Sequence, residues 1–134
     1  MKLAKNIKTL VCDDVRNEVG GKISLMGIYS SDMYVAQTPA ILPSVYLVIM
    51  LEKVKQSFTE LYISLYMPAE PNPISFEYPA VKGVKVGSDT NMVVGVTPFK
   101  INAVGDCRFE IRFKKDSDPV ITHPFSIKIR TPQN

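Results

Sequence analysis

A chain of 134 residues, 46% hydrophobic and 22% charged, has the balance of an ordinary globular protein. Its length suits one domain, residues 1–134, that buries roughly two thirds of its unfolded surface. Sixteen basic residues against 13 acidic ones leave a net charge of +3, too little to mark a nucleic-acid or membrane surface.

The N-terminal "MKLAKNI" is the best helical candidate in the chain, and it is short. It lacks the long apolar core and small-residue cleavage site of a signal peptide. The longest apolar run, "YLVIML", is far shorter than a bilayer requires. A soluble, cytoplasmic protein is the expectation. "TLVCDD" and "ISLMGIY" then flank a charged knot of Asp13, Asp14, Arg16 and Glu18, followed by Gly20, Gly21 and Lys22. The two glycines supply the left-handed backbone of a tight hairpin. Asp14 and Arg16, two apart on a strand, share a face and can pair, and Lys22 lies within reach of Glu18 across the turn.

"SVYLVIMLEKV" is apolar on both faces, the pattern of a central strand covered on each side or contacting another subunit. In "TELYISLYM", Leu61, Ile63, Leu65 and Met67 share one face while Tyr62, Ser64 and Tyr66 share the other. Residues 44–67 thus suggest a hairpin. "ISFEY" is a short strand boxed in by prolines, and a further short strand is expected around Val84 to Val86. "NMVVGVTPFKI" is a strand that Gly95 and Pro98 interrupt, as at a bulge or an edge. "AVGD" turns into the last hairpin. There, Phe109, Ile111 and Phe113 alternate with Arg108, Glu110, Arg112 and Lys114, and Phe125, Ile127 and Ile129 alternate with Ser126, Lys128 and Arg130. The polar "KKDSDP" joins them. The sum is an all-β protein, an antiparallel β-sandwich of about eight strands, with a closed barrel as second choice.

Bond-making chemistry is short of side chains. His123 is the one histidine, so a nucleophile–histidine device or a hydrolase built on Asp13, Asp14 and His123 needs those three to converge. One histidine and two distant cysteines give no transition-metal chelate, and adjacent Asp13 and Asp14 point to opposite faces, which works against a shared calcium ion. No nucleotide-binding glycine pattern occurs. No cofactor and no metal are expected. Cys12 and Cys107 read as buried free thiols.

The run "VCDDVRNEVGGKISLMGIYSSDM" resembles the signature of a family of small uncharacterised bacterial and phage-encoded proteins, through Cys12, Asp13, Asp14, Arg16, Glu18, Lys22, Ser24, Leu25, Gly27 and Tyr29. The resemblance implies no established activity. For a phage-related or defence-related protein, its context suggests a scavenger or inhibitor of a host signalling molecule. The last hairpin is also similar to that of immunoglobulin-like sandwiches, although the tryptophan and paired cysteines of antibody domains are absent.

The expected function is a non-catalytic binding or interaction module of immunoglobulin-like layout, with self-association or another protein as the partner and neither nucleic acid nor membrane. The face formed by Tyr46, Tyr62 and Tyr66 is the expected contact surface. Asp13, Asp14, Arg16, Glu18 and Lys22 are expected to lock the first hairpin, with an anionic small molecule at Arg16 and Lys22 as the alternative.

Overall fold

The computed structural model describes residues 2–130, without the side chains of residues 79–82. Among the described residues there is no helix, and eleven strands form where about eight were expected. The extra strands are segments of three or four residues, too brief for an alternation to register.

In chain order the strands are β1 (Ala4–Asn17), β2 (Ile23–Tyr29), β3 (Asp32–Val35), β4 (Ala40–Leu42), β5 (Val45–Val54), β6 (Phe58–Tyr66), β7 (Ile74–Val84), β8 (Thr90–Val96), β9 (Phe99–Ile101), β10 (Gly105–Arg112) and β11 (Ile121–Ile129). They make a four-stranded sheet, β2-β1-β5-β8, a five-stranded sheet, β3-β11-β10-β6-β7, and a small β4-β9 pair. The protein is an all-β sandwich. The order β1-β5-β8 opposite β6-β10-β11 is that of strands A-B-E against C-F-G in immunoglobulin-like sandwiches. One pair departs from the expected antiparallel pattern: β3 runs parallel to β11, Met33 opposite Ile127.

Period two decides what the sandwich buries. Val11 and Val94 both lie opposite Leu47, and Met92 lies opposite Ile49, all turned inward from the first sheet. They meet Leu61, Ile63 and Leu65 of β6, Phe109 and Ile111 of β10, and Phe125 and Ile127 of β11. Phe109 stacks on Phe125 with ring centroids 5.8 Å apart. Burying such side chains stabilises the fold by about 1.5–3 kcal/mol each.

Several expectations need correction. The expected helix over the first seven residues does not form over residues 2–7, because Ala4 already pairs with Val54 and Leu3 is fully buried, while Met1 lies outside the described residues. Residues 44–67 are not a hairpin. β5 and β6 belong to different sheets, so the chain crosses the core between them. "NMVVGVTPFKI" splits at the cis Thr97–Pro98 bond into β8, at a sheet edge, and β9, in the small pair. "ISFEY" begins one long β7, whose last residue is Val84, while Val86 is exposed beyond it. Ile129 falls on the expected inward face yet is 48% exposed. It pairs with Val35 on one side only, because the pairing of β10 with β11 stops at Gly105 and Ile127 and leaves Ile129 without a β10 neighbour. Glu110, expected in water, is buried.

Candidate functional site

The charged knot is a local structure before it is anything else. Glu18 N–H donates to the Lys22 carbonyl at 2.8 Å, closing a turn in which Gly20 and Gly21 have φ of 85° and 75°. The Glu18 carboxylate accepts from Ser24 Oγ at 3.1 Å. No Glu18–Lys22 ion pair forms among the described residues, which corrects that expectation. Asp14 and Arg16 do pair, at 3.6 Å, with side chains 46% and 64% exposed. A pair so wet contributes about 0–1 kcal/mol.

Asp13 has a more specific job. It stands across from Gly27, between the Cys12–Ile28 and Asp14–Met26 pairs, and Gly27 has φ of 68°. A Cβ on Gly27 would collide with the Asp13 carboxylate. That carboxylate instead lies over the glycine and accepts a hydrogen bond from Tyr29, the diagonal neighbour. Burial and this bond push the Tyr29 hydroxyl pKa up. Asp13, Gly27 and Tyr29, three members of the signature run, are therefore one interlocked unit.

His123 is elsewhere. Its Nδ1 lies 2.7 Å from Thr9 Oγ1, a bond that joins β11 of one sheet to β1 of the other. Asp13 is four residues further along β1, about 13 Å at strand rise, and its partner is Tyr29. Asp14 accepts from the Val15 amide at 2.9 Å. The three groups a hydrolase would need share no partner. Burial pushes the His123 pKa below its ordinary 6.5, so the folded chain favours the neutral ring. Between the lowered value and 6.5 the unfolded chain carries the extra proton. Stability is therefore complete above about 6.5 and is lost as pH falls. We expect the melting temperature to drop between about pH 7.5 and pH 5.5, and to drop less in His123→Gln. Equal pH slopes in the two proteins would refute this role.

The tyrosines do not form one face. Tyr46 lies on the outer side of the four-stranded sheet, over Gly95, where a Cβ would stand 2.8 Å from its ring. Tyr62 and Tyr66 lie on the outer side of the other sheet, because β5 and β6 part company. There they meet residues that period two assigns simply to a wet face. Arg108, Glu110 and Arg112 of β10 stand opposite Tyr66, Ser64 and Tyr62 of β6. The Arg108 guanidinium sits 3.8 Å from the centroid of the Tyr66 ring. Arg108 Nε donates to Glu110 at 2.8 Å and Arg112 Nη2 donates at 2.6 Å. Burial pushes the Glu110 pKa upward, but the bonds from Arg108 and Arg112 outweigh it and hold the carboxyl below its usual range. Arg112 is further tied to the Ser117 carbonyl at 2.9 Å. The sequence signal for this array was present, since Arg-x-Glu-x-Arg at period two puts alternating charges on one face. Only the cross-strand register adds the tyrosines.

Beside this array run two hollows. One, of about 890 Å³, is lined by Phe58, Glu60, Tyr62, Phe113, Lys115 and Val120. The other, of about 380 Å³, is lined by Tyr62, Ser64, Ser75, Glu77, Arg112 and Lys115. They meet at Tyr62 and Lys115. The Lys115 ammonium stands 5.8 Å from the Tyr62 ring and 3.5 Å from Glu77. Phe58 and Phe113, in edge-to-face contact at 6.2 Å, line the larger hollow. The Tyr62 hydroxyl donates to Glu60 at 2.7 Å, and that bond raises its pKa. The arrangement can take an apolar side chain between aromatic walls and a polar group at Lys115 and Arg112. It offers no nucleophile–base pair.

A family of unknown function (DUF6941) matches residues 8–133. The chain belongs to that family. No function is established for that family, so the match supports membership of an uncharacterised family, as the N-terminal run implied, and nothing finer. No curated protein matches the chain. It is similar in part to a β-glucosidase from Listeria innocua in complex with isofagomine, at TM-score 0.40 and 8% identity, over 91% of this chain and 16% of that one. A mutant of that enzyme in complex with laminaribiose gives the same score and identity, over 92% and 16%. This chain thus spans about a sixth of those proteins, and a likeness at that score carries neither fold nor function across. Cys12 and Cys107 are both free and buried. Burial pushes the Cys107 thiol up to about 12 and raises that of Cys12, which leaves both as poor nucleophiles. Among the described residues no cluster of three or more His, Cys, Asp or Glu could hold a metal ion. No described helix is long and apolar enough to cross a membrane.

Proposed function

We propose that this member of the family is a non-catalytic binding module that recognises a protein partner through the outer face of its five-stranded sheet. The observation that carries the reading is the junction of the two hollows at Tyr62 and Lys115, beside guanidinium groups already held in place by Glu110 and Tyr66. Tyrosine and arginine are the residues that dominate protein interfaces, and they do so best when little rotamer freedom remains to be lost. Arg108 and Arg112 meet that condition. The hollows also fall within the size range of ligand clefts. Arg16 is already turned to Asp14, which gives an anionic ligand at the hairpin no comparable support. A bacterial or phage origin belongs to this reading through the resemblance of residues 12–29 alone, and a cytoplasmic location as the sequence-based expectation.

The test is a paired capture from host lysate, wild type against Tyr62→Ala and Arg108→Ala, with melting curves as fold controls. The reading expects a partner retained by the wild type and weakened about ten-fold or more by each variant. Identical retention by all three folded proteins would refute it.

A further inference from the structure

The outer side of the four-stranded sheet has the wrong chemistry for an open surface. Its register sets residues in rows across the strands. Lys8, Met50 and Asn91 form one row, and Leu10, Val48 and Val93 the next. Ile28, Cys12, Tyr46 and Gly95 form a third, Met26 and Asp14 a fourth, and Ser24 and Arg16 a fifth. The second and third rows contain no charged residue at all. Val48 and Cys12, which alternation turns away from the sandwich core, are already covered by their neighbours at 0% exposure, so the surface of these rows is made by the half-buried Leu10, Tyr46 and Val93, with Ile28 and Met26 at the sheet edge 52% and 39% exposed. A solvated sheet face ordinarily alternates to polar residues, and a contiguous apolar patch rimmed by polar groups marks a contact surface.

The rim identifies the occupant. Lys8, exposed and without a partner among the described residues, bounds the apolar rows at one end. Asp14 bounds them at the other, with Arg16 beyond it, and Glu52, bonded to Asn6 at 2.9 Å, lies beyond Lys8. We propose that this face pairs with the same face of a second copy, about a two-fold axis that crosses the strands between the two apolar rows. That operation lays β1 antiparallel on β1. It sets Lys8 of each copy over Asp14 of the other and brings Arg16 toward Glu52, while the row of Leu10 and Val93 in one copy lies over the row of Tyr46 and Ile28 in the other. A hollow of about 260 Å³ lined by Lys8, Met50 and Asn91 lies at the end that receives Asp14. One patch that complements itself in charge and apolarity is what an isologous dimer requires, and two sheets stacked face to face are an ordinary packing. The alternative, with β1 parallel to β1, would set Lys8 on Lys8 and is repelled.

Sedimentation velocity on the full chain, from about 1 to about 100 µM, tests the pairing. The expected mass is twice 14.9 kDa. Val93→Lys and Ile28→Lys, on two different edge strands, are each expected to raise the dissociation constant about ten-fold or more, with circular dichroism confirming the fold. Lys8→Asp and Asp14→Lys alone should weaken the dimer, and together they should restore it. Tyr66→Ala, on the opposite side of the sandwich, should leave it unchanged, which separates this pairing from the proposed partner face. A wild type that stays monomeric throughout, a dimer indifferent to both Val93→Lys and Ile28→Lys in folded variants, or a charge exchange without recovery would overturn the proposal.

Discussion

Phe109→Ala is expected to destabilise the chain by about 3–5 kcal/mol. The side chain is fully buried, stacked on Phe125, and sits where β10 is paired on both sides, opposite Leu65 and His123. Its removal loses apolar contact and leaves a cavity that two flanking strands resist closing, since their hydrogen bonds hold them at fixed spacing. Ile129→Ala, in the same hairpin and on what alternation makes the same face, should change stability by less than about 0.5 kcal/mol, because Ile129 is half exposed. Urea denaturation of both variants checks the pair. A cost for Phe109→Ala below about 1 kcal/mol, or one equal to that of Ile129→Ala, would mean the inward face of β10 is wrongly placed.

Gly27→Ala is expected to cost about 2–3 kcal/mol from two separable sources. A side chain at φ of 68° costs roughly 1–2 kcal/mol from the clash of Cβ with the carbonyl oxygen. Displacing the Asp13 carboxylate, which fills the space a Cβ would take, loses its bond from Tyr29 and adds about 1 kcal/mol. A double-mutant cycle separates them. In an Asp13→Ala background, Gly27→Ala should cost only the backbone share. If the cost is the same in both backgrounds, the carboxylate does not occupy the glycine's space. The same experiment weighs the two readings of the signature run, since a purely structural lock predicts a stability loss that tracks this pair.

How far the primary structure could be read depends on the range of the interaction concerned. The alternation in residues 59–67 and 107–113 names the inward residues correctly, because pleating acts on each strand independently of its neighbours. The Asp14–Arg16 pair and the glycine turn are equally local. The buried thiols were legible too, as small apolar groups inside apolar runs. By contrast, Tyr46, Tyr62 and Tyr66 read as one surface only so long as residues 44–67 read as a hairpin. Nothing within those residues reveals that the chain leaves one sheet for the other at Val54. The Glu110 array was half visible, as an Arg-x-Glu-x-Arg run whose burial needs Ser64 on the adjacent strand to leave room for the carboxylate. Ile129 failed for the opposite reason: its local pattern is sound, but β10 no longer runs beside it, the pairing stopping at Gly105 and Ile127.

By itself, the order of residues determined an all-β chain, most members of its core and the closing of its first hairpin, since each depends on neighbours within a few positions along one strand. Tertiary structure alone decided which strands share a sheet, and therefore that Tyr62 meets Arg112 while Tyr46 lies over Gly95 on the far side. It also decided that His123 joins Thr9 rather than Asp13. Strand pairing is chosen by the total burial of the whole sandwich, a quantity that no single segment carries.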